Sequence, residues 1–120
     1  MKVFLVAVAG AAGALVRYGI GVAVGVRSFP WATLGINITG SFVLGLVLTL
    51  GTERGWPETT TVPIAVGFLG AYTTFSTLML ESWRLVESGE VVAGTVNVLG
   101  SVGLGILAVL AGLTVGRLAA

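Results

Sequence analysis

The chain has 120 residues, of which 56% are hydrophobic and 9% are charged, against about 25% charged residues in an ordinary soluble domain. The net charge of +1 gives nucleic-acid binding no electrostatic basis. Cysteine, histidine and aspartate are absent, which excludes disulfides and thiolate or imidazole metal sites and leaves so little material for catalysis that we do not expect an enzyme. A mean hydropathy of +1.07 predicts a protein integral to a lipid bilayer.

Charged residues and prolines divide the chain into four apolar stretches. We place the spans at about 3–26, 31–50, 62–82 and 91–116, each close to the roughly 20 residues that a helix needs to cross the hydrocarbon core. Pro30 and Pro63 stand near the expected starts of spans two and three, where a missing N–H does no harm. The predicted fold is an all-α membrane protein, with four transmembrane helices in a single domain, 1–120.

The first span contains one charged residue, Arg17. Helical spacing places it on the same stripe as Gly10, Gly13 and Gly21. A guanidinium in a membrane is costly unless it faces a partner or a watery cavity. We therefore expect Arg17 to point toward protein or a vestibule and not toward lipid.

The third span contains a run of hydroxyl side chains. Within residues 73–77, two threonines precede Phe75 and a serine and a threonine follow it, and Gly67 and Gly70 stand just before. Back-bonding to helix carbonyls could account for one or two of these hydroxyls. The whole run, together with the glycines, favours an irregular backbone, so we expect the third helix to be broken in the middle of the membrane.

Several uncharged hydrogen-bond donors share the four spans. They suit a small, strongly hydrated anion, because they can replace its water without adding a fixed charge that would trap it. The electropositive edge of the Phe75 ring can contribute in the same way. Carbonyls freed at a break would attract a structural cation. The donors are Asn37, Thr73, Ser76, Thr77, Asn97 and Ser101.

Three segments in order resemble the Fluc/CrcB family of fluoride channels, and the resemblance covers nearly the whole chain. They are "GAAGALVRY" at 10–18, "TLGINITGSFVLG" at 33–45 and "GFLGAYTTFSTLMLE" at 67–81. The resemblance implies passive export of fluoride across a prokaryotic cell membrane. It also implies an antiparallel, dual-topology homodimer with two fluoride pathways, each drawing residues from both subunits.

The resemblance also implies roles for individual residues. Arg17 matches a vestibule arginine, and the backbone carbonyls of Gly70 and Thr73 match those that hold a structural Na⁺ at the dimer interface. The expected fluoride pathway comprises Asn37, Phe75, Ser76, Thr77, Leu78, Glu81, Asn97 and Ser101.

Two positions depart from the family pattern. Leu78 replaces the second of two phenylalanines, so one aromatic edge is missing from each pathway. Asn97 stands where the family often has tyrosine, although its amide can still donate. Slower conduction, or pairing with a paralogue that supplies the missing ring, would follow from the first departure.

Two other classes of protein remain as alternatives. A small dual-topology multidrug/proton antiporter would also have four helices, but it needs a carboxylate within its first span, and this chain has none there. A non-conducting membrane subunit would account for the glycine stripes but not for Arg17 or the hydroxyl run. Orientation is left open, because three basic residues on one side against two on the other are hardly a bias.

Overall fold

The computed structural model describes all 120 residues, from Met1 to Ala120, as helices joined by short connectors. The first and second spans are single helices, α1 (Lys2–Val24) and α2 (Trp31–Glu53). The last span is α6 (Val91–Ala119). The third span is composite and consists of α3 (Glu58–Val62), a π-helical segment (Pro63–Leu69), α4 (Gly70–Tyr72) and, after two extended residues, α5 (Phe75–Glu87).

Four helical spans are long and apolar enough to cross a membrane, which confirms the predicted all-α fold with a broken third helix. The longest dimension of the molecule, 50 Å, exceeds the roughly 30 Å of a hydrocarbon core, so the helix ends reach the polar interfaces. The third span is longer than the expected 62–82 and runs from Glu58 to Glu87. The first helix stops at Val24, before Gly25 with its positive φ of 70°.

Helix α5 ends in a motif that explains how the chain turns toward the last span. Gly89 has a φ of 90°, a left-handed conformation that side chains disfavour. The Gly89 N–H donates to the Val86 carbonyl and the Glu90 N–H donates to the Leu85 carbonyl, at 3.0 and 2.8 Å. These two bonds satisfy carbonyls that a helix end leaves free, as in a Schellman motif.

Glycines allow α2 and α6 to pack closely along most of their lengths. A methyl group on Gly45 would lie 2.6 Å from the Val109 carbonyl oxygen, and one on Gly112 would overlap the Phe42 carbonyl. Close backbone approach replaces the hydrophobic effect as the source of helix association in lipid. The α2–α6 pair is therefore the most extensive contact in the fold.

The two halves of the third span pack against different helices. The first half lies along α1, where Gly13 meets the Phe68 carbonyl and Gly67 meets the Val6 carbonyl. The second half, α5, lies along α6, and Gly94 meets the Ser82 carbonyl. Helix α2 touches both halves. The break thus falls at the point where the span passes from one neighbour to the other.

The expected position of Pro63 at a helix start is wrong. Pro57 precedes the first helical residue, Glu58, and Pro63 lies within the span as the first residue of the π-helical segment. Proline has no N–H to donate to the preceding turn, and a wider turn accommodates that loss. Gly67 lies in the π-helical segment, an irregular backbone as expected, and also packs closely against α1, whereas Gly70 is helical with a φ of −63°.

Candidate functional site

The break in the third span consists of two residues with extended backbones. Thr73 has φ and ψ of −79° and 158°, and Thr74 has −150° and 120°. The Thr73 N–H still donates to the Leu69 carbonyl at 3.0 Å, but the helical ladder stops there, so the backbone groups of Thr74 and the free carbonyls beside it need other partners inside the membrane. The partners come from α1 and α2.

Asn37 on α2 bonds both backbone groups of Thr74. Its Nδ2 donates to the Thr74 carbonyl at 2.9 Å, and its Oδ1 accepts from the Thr74 N–H at 2.8 Å. The side-chain amide of Asn37 therefore pairs with Thr74 in the way that the backbone of a neighbouring β-strand would. This paired contact also leaves Nδ2 with a second proton for another acceptor.

Two more side chains hold α4 beside the break. Arg17 on α1 donates from Nε to the Ala71 carbonyl at 3.0 Å. On the opposite side, the hydroxyls of Tyr72 and Thr39 are 2.8 Å apart. Thr39 is also within bonding distance of the Gly35 carbonyl, at 2.8 Å, and this acceptor engages its proton, so the Tyr72 hydroxyl donates to Thr39.

The hydroxyls of the third span have several different uses. Thr73 donates to the Leu69 carbonyl at 2.9 Å, which is helix back-bonding. Thr74 caps α5: its Oγ1 accepts from the Thr77 N–H at 3.2 Å and donates to the Thr77 hydroxyl at 3.0 Å. Ser76 is exposed. Back-bonding to a helix carbonyl therefore accounts for Thr73, within the one or two hydroxyls expected, and capping of α5 accounts for Thr74.

A cleft of about 300 Å³ lies beside the break, between α2, the two halves of the third span and α6. The Phe75 ring lies at this cleft and is 75% exposed. The lining of the cleft contains no charged side chain. Six of the residues expected from the sequence meet here, namely Asn37, Gly70, Thr73, Phe75, Leu78 and Ser101.

A larger cavity of about 940 Å³ lies on the other side of the break, between α1, the start of α2 and α5. Arg17, Thr77 and Glu81 line it, with Arg84 further along α5. Arg27 lines the cavity as well, and because the only ion pair in the chain joins Lys2 to Glu58, all three arginines keep their charge unpaired. Thr74, at the break, lines both cavities.

Asn97 and Ser76 lie apart from both cavities. Asn97 is completely buried between α5 and α6, where its Nδ2 donates to the Ser82 hydroxyl at 2.8 Å. Sequence reasoning missed Ser82, which directly follows Glu81 at the end of the expected third span. It also missed Thr39 and Tyr72, because neither type is unusual in a membrane helix.

The fold and the site define a class: a small four-span membrane protein whose broken helix opens into an uncharged, donor-lined cleft, as in proteins that pass an ion. Residues 4–113 match the family described as CrcB-like protein, Camphor Resistance (CrcB). The chain belongs to this family.

Curated relatives cover nearly the whole chain. A protein of Magnetococcus marinus named "Fluoride-specific ion channel FluC" is 46% identical over 98% of this chain and 99% of its own length. A protein of Symbiobacterium thermophilum named "Fluoride-specific ion channel FluC 1" is 45% identical over 97% and 98%. A protein of Clostridium acetobutylicum named "Fluoride-specific ion channel FluC 2" is 43% identical over 89% and 91%.

Proposed function

We propose that this chain is the subunit of a fluoride-selective channel that lets F⁻ leave the cytoplasm passively. The names of relatives above 40% identity support the proposal. The observation that carries it is the uncharged cleft in which Asn37, Phe75 and Ser101 meet beside a break in a membrane helix.

The cleft has the chemistry that a dehydrated fluoride ion needs. The second proton of Asn37 Nδ2 and the edge of the Phe75 ring each offer a positive hydrogen, and Ser101 forms part of the uncharged wall. None carries a full charge, so the ion is stabilised without being held. The absence of carboxylates from the cleft lining also makes it a poor path for a cation.

The larger cavity is the vestibule of the proposed route. Arg17, Arg27 and Arg84 bring three positive charges against the one carboxylate of Glu81. A cavity with a surplus of positive charge raises the local concentration of an anion. Thr74 and Thr77 then lead from the vestibule to the break.

A second copy of the chain completes the pathway in our proposal. Phe75 presents three quarters of its surface outside the isolated chain, so a pore that this ring lines needs a second chain to enclose it. The near balance of basic residues between the two sides suits insertion in both orientations and an antiparallel homodimer. A heterodimer with a paralogue remains the alternative. Accessibility of tags on both termini in cells tests this, and one fixed orientation contradicts it.

A structural Na⁺ fits the backbone at the break. Gly70 and Thr73 both line the cleft, and carbonyl oxygens are ligands that alkali cations accept in channels. The choice of these two carbonyls is what the resemblance to the family implies, and Arg17 engages the Ala71 carbonyl that lies between them in the chain. One chain supplies only part of a coordination shell, so we place this ion at the interface of the proposed dimer.

The proposed location is the inner or plasma membrane of a prokaryote. Hydrofluoric acid diffuses into a cell and dissociates at neutral pH, so the anion accumulates unless it has an exit. Passive export of F⁻ lowers this concentration without an energy source and without catalysis.

Efflux from liposomes tests the function. Purified protein is expected to release fluoride passively, to retain chloride and to show no dependence on a proton gradient. Exchange of cationic drugs for protons would instead identify an antiporter, and the absence of any flux would identify a non-conducting subunit. Protein-free liposomes give the background leak.

Leu78→Phe is expected to increase fluoride efflux. Leu78 lines the cleft and is 6% exposed, so a larger ring would extend into the cleft and add an electropositive edge. A contact of about 1 kcal/mol at the barrier corresponds to a roughly fivefold faster flux. Leu78→Met is the matched control for side-chain size without a ring. An unchanged or lower flux in Leu78→Phe would mean that the site is built around leucine.

A further inference from the structure

A chain of polar groups crosses the contact between α5 and α6, one turn beyond the cleft. Ser82 donates to the Leu78 carbonyl at 2.7 Å, and Asn97 Nδ2 donates to the Ser82 hydroxyl at 2.8 Å. Ser82 is 5% exposed and Asn97 is 0% exposed. Both therefore lie in surroundings where an unpaired polar group is costly.

The hydrogen bonds fix the orientation of the Asn97 amide. Ser82 has one proton, and the Leu78 carbonyl takes it, so the Ser82 oxygen can only accept from Asn97. Asn97 must then present Nδ2 to Ser82 and turn Oδ1 away. That Oδ1 atom is buried and has no hydrogen-bond partner within the chain.

Ser101 lies one turn further along the same face of α6. Its Oγ is also buried and unpartnered, and the residue is 7% exposed. Other hydroxyls of α6 bond to the carbonyl one turn back, as Thr95 does to Val91 and Thr114 does to Leu110. Ser101 makes no such bond, so its proton is uncommitted. Side chains four residues apart on a helix are neighbours.

We propose that Asn97 Oδ1 and Ser101 Oγ together bind one buried water molecule. The water accepts from Ser101 and donates to Asn97, so that both unpartnered atoms are satisfied. An anion would meet the negative end of the Asn97 amide. A cation would have only these two neutral oxygens to offset its desolvation, which is a far larger cost.

The bound water has a consequence for the route of the anion, and this consequence rests on the proposed function. Ser101 is part of the cleft wall beside Leu78, so the water lies directly behind that wall. Its second proton provides solvation where Leu78 offers none, since the single proton of Ser101 is engaged by the water. The water thus acts as a fixed piece of hydration shell supplied by the protein.

A structure at a resolution that shows ordered water tests the site directly. One water is expected within about 2.7–3.2 Å of both Asn97 Oδ1 and Ser101 Oγ. It should be lost in Ser101→Ala while the Asn97–Ser82 bond remains. A direct Asn97–Ser101 hydrogen bond, an ion at this position or an empty contact would each overturn the proposal.

A double-mutant cycle tests the same site in solution without any transport measurement. The cycle uses the original chain as background, because the loss of the Asn97–Ser82 bond is common to Asn97→Leu and the double variant and cancels in the comparison. If one water joins the two side chains, the Tm losses of Asn97→Leu and Ser101→Ala should exceed the loss of the double variant by about 3 °C. Additive losses would contradict the bridge.

Thr114→Val is the matched control, because Thr114 lies on α6 and bonds only to its own helix. Its effect should add to that of Asn97→Leu. The thermal readout is independent of fluoride conduction, so a failed bridge leaves the channel proposal intact. Conversely, a channel that does not conduct fluoride leaves the water site intact.

Discussion

Asn37→Leu is expected to abolish fluoride efflux and to destabilise the fold, because both backbone groups of Thr74 lose their partner. An unsatisfied buried donor or acceptor costs about 1–3 kcal/mol, so the break itself is expected to deform. Asn37→Asp separates the two roles of the amide. It keeps an acceptor for the Thr74 N–H, removes the donor and adds negative charge to the cleft. We expect its efflux to fall by more than roughly tenfold.

Liposome efflux and thermal unfolding in detergent measure the two effects. Thr52→Val provides a control on the same helix, because Thr52 is exposed and bonds only to the Leu48 carbonyl. It should leave both measurements near the original values. If Asn37→Asp discharged fluoride at the original rate, the role of neutral donors in the cleft would be refuted. The same holds for Phe75→Ile, which removes the aromatic edge.

Gly112→Ala is expected to be among the most destabilising single-methyl changes in the chain. The added Cβ would overlap the Phe42 carbonyl and would lie 2.9 Å from the Leu46 nitrogen, and both are backbone groups of α2. Backbone cannot rotate away as a side chain does, so α2 and α6 must separate. Overpacking of this kind costs about 1–3 kcal/mol or more.

The control for Gly112 is on the same helix. A Cβ on Gly103 meets nothing within 4 Å, so Gly103→Ala should unfold at the original temperature or higher, since alanine favours helix. Thermal unfolding in detergent compares the two variants. Equal Tm values would mean that the α2–α6 contact does not depend on close backbone approach.

The sequence predicted the fold well because membrane spans leave a strong signal. Runs of about twenty apolar residues, interrupted by charged connectors, are sufficient to locate four helices. The broken third helix was also predictable, since hydroxyls and glycines cluster around Phe75. The ends of the third span were predicted less accurately. Apolar content does not show that the helix begins directly after Pro57, or that it widens into a π-helical segment at Pro63.

The sequence predicted many of the residues that belong to the candidate site, but not which of them hydrogen-bond to each other. The sequence identified Asn37 and Arg17 as unusual, and the structure brings both to the break. It could not indicate that Asn37 completes the backbone of Thr74, because that pairing depends on a long-range register between α2 and the third span. For the same reason the bond between Asn97 and Ser82 was not foreseen, since it depends on which faces of α5 and α6 meet.

The dependence of the break on α1 and α2 constrains how the protein is made. A third span released alone into lipid would leave the Thr74 amide and the Ala71 carbonyl without partners, at a cost of several kcal/mol for each group. Synthesis delivers α1 and α2 first, so Arg17 and Asn37 are already in the bilayer when their acceptors arrive. Because α1 and α2 precede the third span in the chain, the break can hydrogen-bond to Arg17 and Asn37 as soon as it enters the bilayer.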